Sequence, residues 1–413
     1  MADQTACDAE GAVVLADLLR AHPLVPMERM AALAAGHAAR LGFSELMIYV
    51  ADLRHLSFLP LPGQRDPHGE LLDPIPIDTT LAGRAFRNVE IVQADPTRVA
   101  AEPPQAGVGG PVRLWAPLVD GVERVGVLGV TAPVADEVTE RRVTDLALLI
   151  ALVVAGKRHA SDSYKQLVRG HSMRVGAELL WTLMPARTFA TDVVAVSAGL
   201  EPAYAVGGDA FDYALAGHTL HLSIFDAIGH DTSAGLTSAI ALASHRNNRR
   251  QGIELLAASD AIDDAIADQF STSRYATGIL ADLNIRNGSL TWVNRGHPPP
   301  LLLRKGRVAG VLDSTPDPPM GFSLGPAAGL ARRRLEPGDR LLLYTDGMTE
   351  ARSPTGERFG LERFADLVLR GEADGLAGPE IVRRVIHAVM DHQLGGLHDD
   401  ATMMLVEWRP PGS

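Results

Sequence analysis

Acidic turns at the ends of predicted strands place the strongest limit on how the second half of this chain folds. They are Gly207-Gly208-Asp209, Asp226-Ala227-Ile228-Gly229, Thr345-Asp346-Gly347 and Asp399-Asp400. Hard divalent cations prefer oxygen ligands, and carboxylates from separate strand ends are one way to supply them. Any single aspartate in a glycine-flanked turn is more often a turn former or a helix cap. The repetition of the pattern raises the hypothesis that these turns meet around metal.

Composition limits the class of protein. A chain of 413 residues predicts two domains, and 46% hydrophobic with 21% charged residues is typical of globular proteins. The net charge of −12 argues against nucleic-acid binding, which needs a basic footprint. The one cysteine, Cys7, can form no internal disulfide. The N-terminus is acidic, unlike a secretion signal, and the apolar run 146–156 is about half a membrane span. The sequence predicts a soluble cytoplasmic protein without a membrane partner.

The first half alternates helical and strand periodicity. Helical spacing over 13–40 is split by Pro23 and Pro26, and hairpins are predicted at 45–59 and 113–130, the second turning at Asp120-Gly121. A short helix at 81–86, a strand at 90–93 and a Pro- and Gly-rich loop at 94–110 lie between them. This order predicts an antiparallel sheet packed against helices.

That layout, with the segment 81–86 and the closing segments 116–118 and 126–129, resembles a GAF sensory domain over residues 12–158. Folds of the PAS kind would give a similar pattern. The resemblance implies a regulatory module, but no cyclic-nucleotide signature is present and its ligand is unknown. His37, His55 and His68 lack ligand spacing, so ordinary surface or core roles are favoured for them.

A helical connector follows. Val143, Leu146, Ile150 and Val153 form an a/d seam that Tyr164, Leu167 and His171 continue, with interruptions at Lys157, Gly170 and Gly176. Either the helix caps the sensory domain, or it is a stalk that pairs two subunits. We predict a flexible tail at 1–11, a helical linker at 159–185 that mediates a parallel homodimer, and a second domain at 186–413.

Strand-like runs dominate the second half, with helices predicted at 232–245, 252–270, 361–369 and 379–393. Strands with helices in separate blocks predict an α+β fold in which two sheets are sandwiched by helices. Strands are predicted at 193–199, 219–225, 276–283, 289–293, 300–303, 340–344 and 402–408.

A set of motifs in this half, taken in order, resembles the bacterial SpoIIE-type branch of the protein phosphatase 2C superfamily over 166–408. The motifs lie at 179–185, 202–212, 226–230, 275–277, 293–300, 337–347, 357–360 and 399–402. The resemblance implies an α-β-β-α sandwich and a serine/threonine phosphatase that uses two Mn²⁺ or Mg²⁺ ions.

The resemblance also assigns roles to residues. Metal ligands would be Asp209, Asp226, Asp346 and Asp399, with Asp400, in a position that is Asn in many relatives, as a further candidate. Ala227 would offer its backbone carbonyl to metal. Two divalent cations would offset the charge of a phosphate monoester and activate a bridging water, which attacks phosphorus directly.

Three sources of the leaving-group proton stay open: His230, a metal-bound water, or no side chain at all. Ile228 occupies the position where eukaryotic relatives have a histidine, whereas His230 matches the histidine of the bacterial Asp-x-Ser-Gly-His-Gly pattern. The final glycine of that pattern is Asp231 here, which affects the start of the next helix. Asp212 and the turn at 294–297 are candidates for supporting the site.

The function implied is dephosphorylation of phosphoserine or phosphothreonine, with an anti-sigma-factor antagonist as the substrate in a partner-switching pathway. The alternatives are a phosphatase-like scaffold that has lost catalysis, and a ligand sensor whose output is dimerisation. A lost carboxylate would favour the scaffold, and none is missing.

Overall fold

The computed structural model describes residues 2–66, 68–94, 111–205, 207–315, 317–325, 329–394 and 399–409, with side chains from residue 11 onward. The chain divides into two compact units, Met1–Gly170 and His171–Ser413. Nearly all of the predicted loop at 94–110 lies outside the described residues. In the described part of the chain, no helix has the length and apolarity to cross a bilayer.

The first unit contains one six-stranded antiparallel sheet with the strand order β3-β2-β1-β6-β5-β4. Its elements are α1 (Ala2–Ala21), α2 (Met30–Arg40), β1 (Ser44–Ala51), β2 (Ser57–Pro60), β3 (Ile75–Pro76), α3 (Leu81–Asn88), β4 (Val92–Ala94), β5 (Val112–Asp120), β6 (Glu123–Ala132), α4 (Glu137–Arg158) and α5 (Asp162–Val168). Helices α1, α2, α4 and α5 share one apolar core with the sheet, and α3 contributes to a second. The predicted antiparallel sheet with helices is confirmed.

Helix α1 begins at Ala2, so residues 2–11 are helical where the sequence predicted a flexible tail. The chain contains no proline before Pro23, and the alanines of residues 2–11 have high helix propensity. Acidic side chains in it favour the positive end of a helix.

The a/d seam of the connector is used inside the first unit. Val143, Leu146, Ile150 and Val153 are each at most 3% exposed and pack in the core beneath the sheet. The prediction that this seam pairs two subunits is therefore wrong, because its side chains cover their own sheet. The predicted linker at 159–185 is not one continuous helix. Its first helix, α5, packs in the core of the first unit, and its second helix, Val175–Leu183, packs in the core of the second unit.

The second unit is a sandwich of two antiparallel sheets. Its strands are β7 (Thr188–Ala190), β8 (Val194–Glu201), β9 (Asp209–Ala216), β10 (Thr219–Ala227), β11 (Ala276–Asn284), β12 (Ser289–Arg295), β13 (Leu301–Arg304), β14 (Arg307–Val311), β15 (Ala331–Arg334), β16 (Arg340–Tyr344) and β17 (Ala401–Trp408). The helices are α6 (Val175–Leu183), α7 (Thr232–Arg250), α8 (Leu255–Phe270), α9 (Gly347–Glu350), α10 (Leu361–Ala373) and α11 (Gly378–His392).

The two sheets have the strand orders β15-β12-β11-β10-β9 and β14-β13-β16-β17-β8-β7. Helices α7 and α8 pack against the five-stranded sheet, and α11 packs against the six-stranded one. Strand β16 shows why both faces are apolar: Leu341 and Leu343 enter the core between the sheets, whereas Leu342 and Tyr344 face α10 and α11. The predicted α-β-β-α sandwich is confirmed.

Candidate active site

Asp209 and Asp226 face each other across neighbouring strands. Asp209 is the first residue of β9, and its register partner on β10 is Asp226. Directly opposed residues of an antiparallel pair have Cβ atoms about 5 Å apart on one face of the sheet. Two like charges so placed repel, so the pair favours a cation between or beside them.

Glycines let the strand ends approach. A Cβ atom on Gly207 would lie 2.3 Å from the His230 Cα, and one on Gly208 would lie 2.3 Å from the Ala227 carbonyl oxygen. A Cβ on Gly347 would lie 1.9 Å from the backbone oxygen of Asp400. None of these three has a positive φ, so close approach is the reason for glycine here. The contacts join the first turn to the second and the third to the fourth.

Two threonines hold Asp209 from the opposite sheet. The hydroxyls of Thr345 and Thr402 donate to its Oδ2 at 2.7 and 2.6 Å. The Thr402 amide in turn donates to the Thr345 hydroxyl at 3.0 Å. All three residues are buried. The carboxylate of Asp209 is therefore oriented by neutral donors, which leave its charge uncompensated.

The remaining carboxylates raise one another's proton affinity. Burial, followed by the charges of Asp346 and Asp399, raises the pKa of Asp226 to about 8. Partial loss of hydration also raises the pKa of Asp346 and of Asp399. The charge of Asp399 adds to the pKa rise of Asp346, and the charge of Asp400 adds to that of Asp399. Burial and then Asp226 raise the pKa of Asp209 well above its usual range. A carboxyl cluster with this electrostatic state binds either protons or metal cations.

The carboxylates line an edge and do not close around one point. Among the described residues, no three acidic, histidine or cysteine side chains are placed to enclose a single ion. Mg²⁺ commonly keeps several water ligands and takes one or two carboxylates from the protein.

Asp400 has a different role from its neighbour. Its Oδ2 accepts the backbone N–H groups of Gly207, Gly208 and Asp209 at 2.8, 2.6 and 3.1 Å. Asp400 is 5% exposed, whereas Asp399 beside it is exposed. The oxygen that was a candidate metal ligand thus clamps the glycine turn, and Asp399 is the better placed ligand of the two.

The loop after Asp226 carries the other predicted residues. Ala227 is buried, and its N–H donates to the Gly208 carbonyl at 3.2 Å. His230 is exposed, and its charge interacts with Asp399 and Asp400. Asp231 caps α7 by accepting the Ala234 N–H at 2.9 Å, so its carboxylate starts the helix where the bacterial pattern has glycine.

Asp212 lies on the other face of β9, away from the acidic edge. It is 1% exposed and accepts hydrogen bonds from Arg246 at 2.6 and 3.0 Å and from Arg249 at 2.6 Å. Both arginines belong to α7. The acid ties this helix to the sheet, and its charge is matched within the protein.

The turn at 294–297 is a buried connection between strands. Asn294 accepts the His297 N–H at 2.8 Å, and the His297 ring contacts the Thr277 hydroxyl at 2.8 Å and the Tyr344 carbonyl at 3.1 Å. Burial lowers the pKa of His297 to about 3, so the ring is neutral. A neutral ring donates from Nε2 to the carbonyl and accepts at Nδ1. The turn therefore has a structural role.

Sequence reasoning missed three residues that hold the site together. Thr345 and Thr402 lie within recognised motifs, but only the packed sheets show that both reach Asp209. Arg274, on the loop before β11, donates to the Ile228 carbonyl at 3.2 Å and to Asp231 at 2.9 Å. A basic residue next to the motif at 275–277 was the available signal.

Comparison with known proteins gives a family match in the second unit. Residues 216–409 match the family model described as Stage II sporulation protein E (SpoIIE). The matched range includes Asp226, Asp346, Asp399 and Asp400, while Asp209 lies just before it. The second unit thus resembles SpoIIE over most of its length, as the motifs predicted.

Two curated relatives align with the chain. Protein IcfG of Synechocystis sp. is 31% identical over 156 residues, which are 37% of this chain and 24% of that protein. Phosphoserine phosphatase RsbU of Bacillus subtilis is 22% identical over 241 residues, 57% of this chain and 69% of that protein. The chain thus spans about a quarter of the length of the first relative. Among solved structures, the SiaA-PP2C domain of Pseudomonas aeruginosa aligns at 19% identity and a TM-score of 0.47, covering 62% of this chain and 99% of that one.

Proposed function

We propose that this protein is a metal-dependent protein serine/threonine phosphatase. The observation that carries the proposal is the acidic edge itself, where Asp209, Asp226, Asp346 and Asp399 come from four separate turns. Their pKa values are all raised, and no arginine or lysine among the described residues is paired with them. Such an edge favours binding of external cations.

Two Mn²⁺ or Mg²⁺ ions suit the oxygen donors of this edge, and when bound they would offset the phosphate charge and lower the pKa of a water molecule. Asp226, Asp346 and Asp399 would hold the ions, with Asp209 fixed by its two threonines. The carbonyl of Ala227 is the backbone donor. Asp400 would hold the glycine turn through its hydrogen bonds to the backbone and would not bind metal.

The leaving serine or threonine oxygen needs a proton, and we propose His230 as its donor. The ring is exposed beside Asp399, where a substrate can reach it. Ile228, at the position of the eukaryotic histidine, offers no proton. A His230→Gln variant would therefore lower the rate most for alkyl phosphates, whose leaving groups are basic, and little for aryl phosphates.

The substrate we propose is a phosphorylated anti-sigma-factor antagonist in a cytoplasmic partner-switching pathway. The resemblance to SpoIIE-type proteins supports it, as does the phosphoserine phosphatase RsbU among the relatives. The GAF-like first unit, with an unknown ligand, would regulate activity. Helix α6 would carry the regulation within the second unit. Its Trp181 donates to the Ala203 carbonyl at 2.7 Å, close in sequence to the glycine turn.

The test is release of phosphate from p-nitrophenyl phosphate and from a phosphoserine protein, with and without Mn²⁺. We expect turnover that requires metal and is lost in Asp226→Ala and Asp346→Ala. A metal-independent rate, or a rate unchanged in both variants, would contradict the proposal. The alternative of a catalytically inactive scaffold would give metal binding without turnover in the natural sequence.

A further inference from the structure

A basic edge lies far from the acidic one. Strand β15 ends the five-stranded sheet, and three of its four residues are exposed arginines: Arg332, Arg333 and Arg334. The register pairs Arg334 with Ser289, and the turn before Ser289 carries the exposed Arg286. We define these four arginines as the arginine edge. It stands out on a chain whose net charge is −12.

The charges of the arginine edge are not matched by the protein. Among the described residues, no carboxylate forms a salt bridge with any of the four. The nearest acids along the chain, Glu336 and Asp339, are both paired with Arg304. Arg332 and Arg334 are two residues apart, on one face and about 7 Å from each other, which is within a Debye length at physiological salt. An anionic partner would relieve their repulsion.

The backbone at this edge offers a second kind of contact. β15 pairs with β12 on one side and, among the described strands, has no neighbour on the other. An open strand edge presents N–H and C=O groups that an extended polypeptide can pair with. Nucleic acid supplies charge but no matching backbone ladder. The combination of an open strand edge with Arg332 and Arg334 at alternate positions on one face therefore favours an acidic polypeptide.

The position of the arginine edge separates it from the acidic site. β15 pairs with β12 between Ser289 and Trp292, the end of that strand remote from the site. Leu290 pairs with Leu283, six residues along β11 from Thr277, the partner of Asp226. Six residues of strand span about 20 Å. A polypeptide bound at β15 would leave the acidic site free.

We propose that the arginine edge is a docking surface for an extended acidic segment of a partner protein, with carboxylates at alternate positions facing Arg332 and Arg334. The segment would add to the sheet as a strand next to β15. This inference does not depend on the proposed phosphatase activity, because it involves neither the acidic edge nor metal.

The experiment uses the full chain without metal and a fluorescein-labelled peptide, Thr-Glu-Val-Glu-Val-Glu-Thr, followed by fluorescence anisotropy. We expect saturable binding that weakens at least tenfold in the double variant Arg332→Ala/Arg334→Ala. Arg307→Ala, on the edge strand β14 of the other sheet, is the matched control and should bind like the natural protein. A peptide in which proline replaces each valine keeps the charge but loses backbone donors, and it should bind at least tenfold more weakly.

A charge swap guards against misfolding as the cause of lost binding. Arg332→Glu/Arg334→Glu should bind the corresponding Thr-Lys-Val-Lys-Val-Lys-Thr peptide in preference to the acidic one, and its circular dichroism should match that of the natural chain. Absence of saturable binding would overturn the proposal. Equal affinity for the proline peptide would also overturn it, as would tighter binding of a single-stranded oligonucleotide of equal charge. So would arginine variants that aggregate differently from the natural protein but bind the acidic peptide with the same affinity.

Discussion

The two buried aspartates of β9 have opposite electrostatic surroundings. On one face, Asp212 is held between Arg246 and Arg249. Three residues earlier, Asp209 meets further carboxylates and two hydroxyls. The first acid has its countercharge within the fold, whereas the second obtains one only from outside. Burial of an acid therefore marks a functional residue only when its partners fail to neutralise it.

The largest expected difference is in catalysis. Asp226→Asn keeps the size of the side chain but removes a charge from the acidic edge, and we expect the metal-dependent rate to fall by about 10³-fold, or about 4 kcal/mol. The metal-free variant should be no less stable than the natural protein, because carboxylate repulsion decreases. Asp282→Asn, which changes an acid paired with His221 in the same sheet, is the control and should retain activity.

Substitution of Asp212, on the opposite face of β9, should lower the stability of the protein and leave its catalytic rate nearly unchanged. Asp212→Ala leaves two guanidinium groups without a partner beneath α7, and we expect the free energy of unfolding to fall by about 3 kcal/mol. Urea denaturation measures it. The rate per folded molecule at low temperature should stay within about threefold of the natural protein. A 100-fold loss of rate would assign Asp212 to the active site and remove the contrast.

Stabilisation of the protein by metal should depend on the carboxylates of the acidic edge and not on Asp212. At 100 times its dissociation constant, Mn²⁺ should add about 2.7 kcal/mol to the free energy of unfolding, and a chelator should reverse this. Thermal denaturation would show the shift. Asp226→Asn should lose most of it, whereas Asp212→Ala should keep it. An equal metal-induced shift in both variants would place the ions elsewhere.

The pH dependence of metal-free stability follows from the same carboxylates. In the unfolded chain an aspartate titrates near 3.8, whereas Asp226 retains its proton up to a pKa of about 8. The folded state thus binds more protons through this window, and stability falls as pH rises, by up to about 1.4 kcal/mol per unit. His245 and His297 are buried and neutral, and their pKa values are lowered to about 4 and 3. They therefore reduce the stability of the protein only below pH 6.5, where the unfolded chain binds more protons.

The interval from pH 6.5 to 8 therefore isolates the acidic edge. Urea midpoints measured in chelator should decrease across it, and Asp226→Asn should flatten the decrease. A stability that stays constant or rises over this interval would show that the carboxylates are compensated within the protein.

The smallest effect distinguishes Asp400 from Asp399. Asp400→Asn keeps one oxygen to accept the amides of the glycine turn, so we expect less than a tenfold fall in rate, about 1.4 kcal/mol at most. Asp399→Asn should approach the loss seen for Asp226→Asn. Phosphate-release assays over a range of Mn²⁺ concentrations compare them. Equal losses in the two variants would return Asp400 to the set of metal ligands.

Sequence patterns predicted most of what depends on local periodicity. The sandwich, its long helices and the four acidic turns follow from apolar runs and turn residues. Strands β9 and β15 were not predicted, because Asp212 interrupts the apolar pattern of the first and three arginines that of the second. The orientation of the two neighbouring acids, Asp399 and Asp400, depends on how two sheets meet, which no local pattern encodes. The a/d seam was misassigned for a related reason, since its period is the same whether the helix covers a sheet or another helix.

The clamp made by Asp400 sets an order of events in folding. Its carboxylate contacts amides up to 193 residues earlier in the chain. Strand β17, which follows it, lies between β8 and β16 in the centre of its sheet. Asp400 must therefore have left the ribosome before the glycine turn has its acceptor. Contacts so distant in sequence slow folding, and the acidic edge should be among the last parts of the molecule to form.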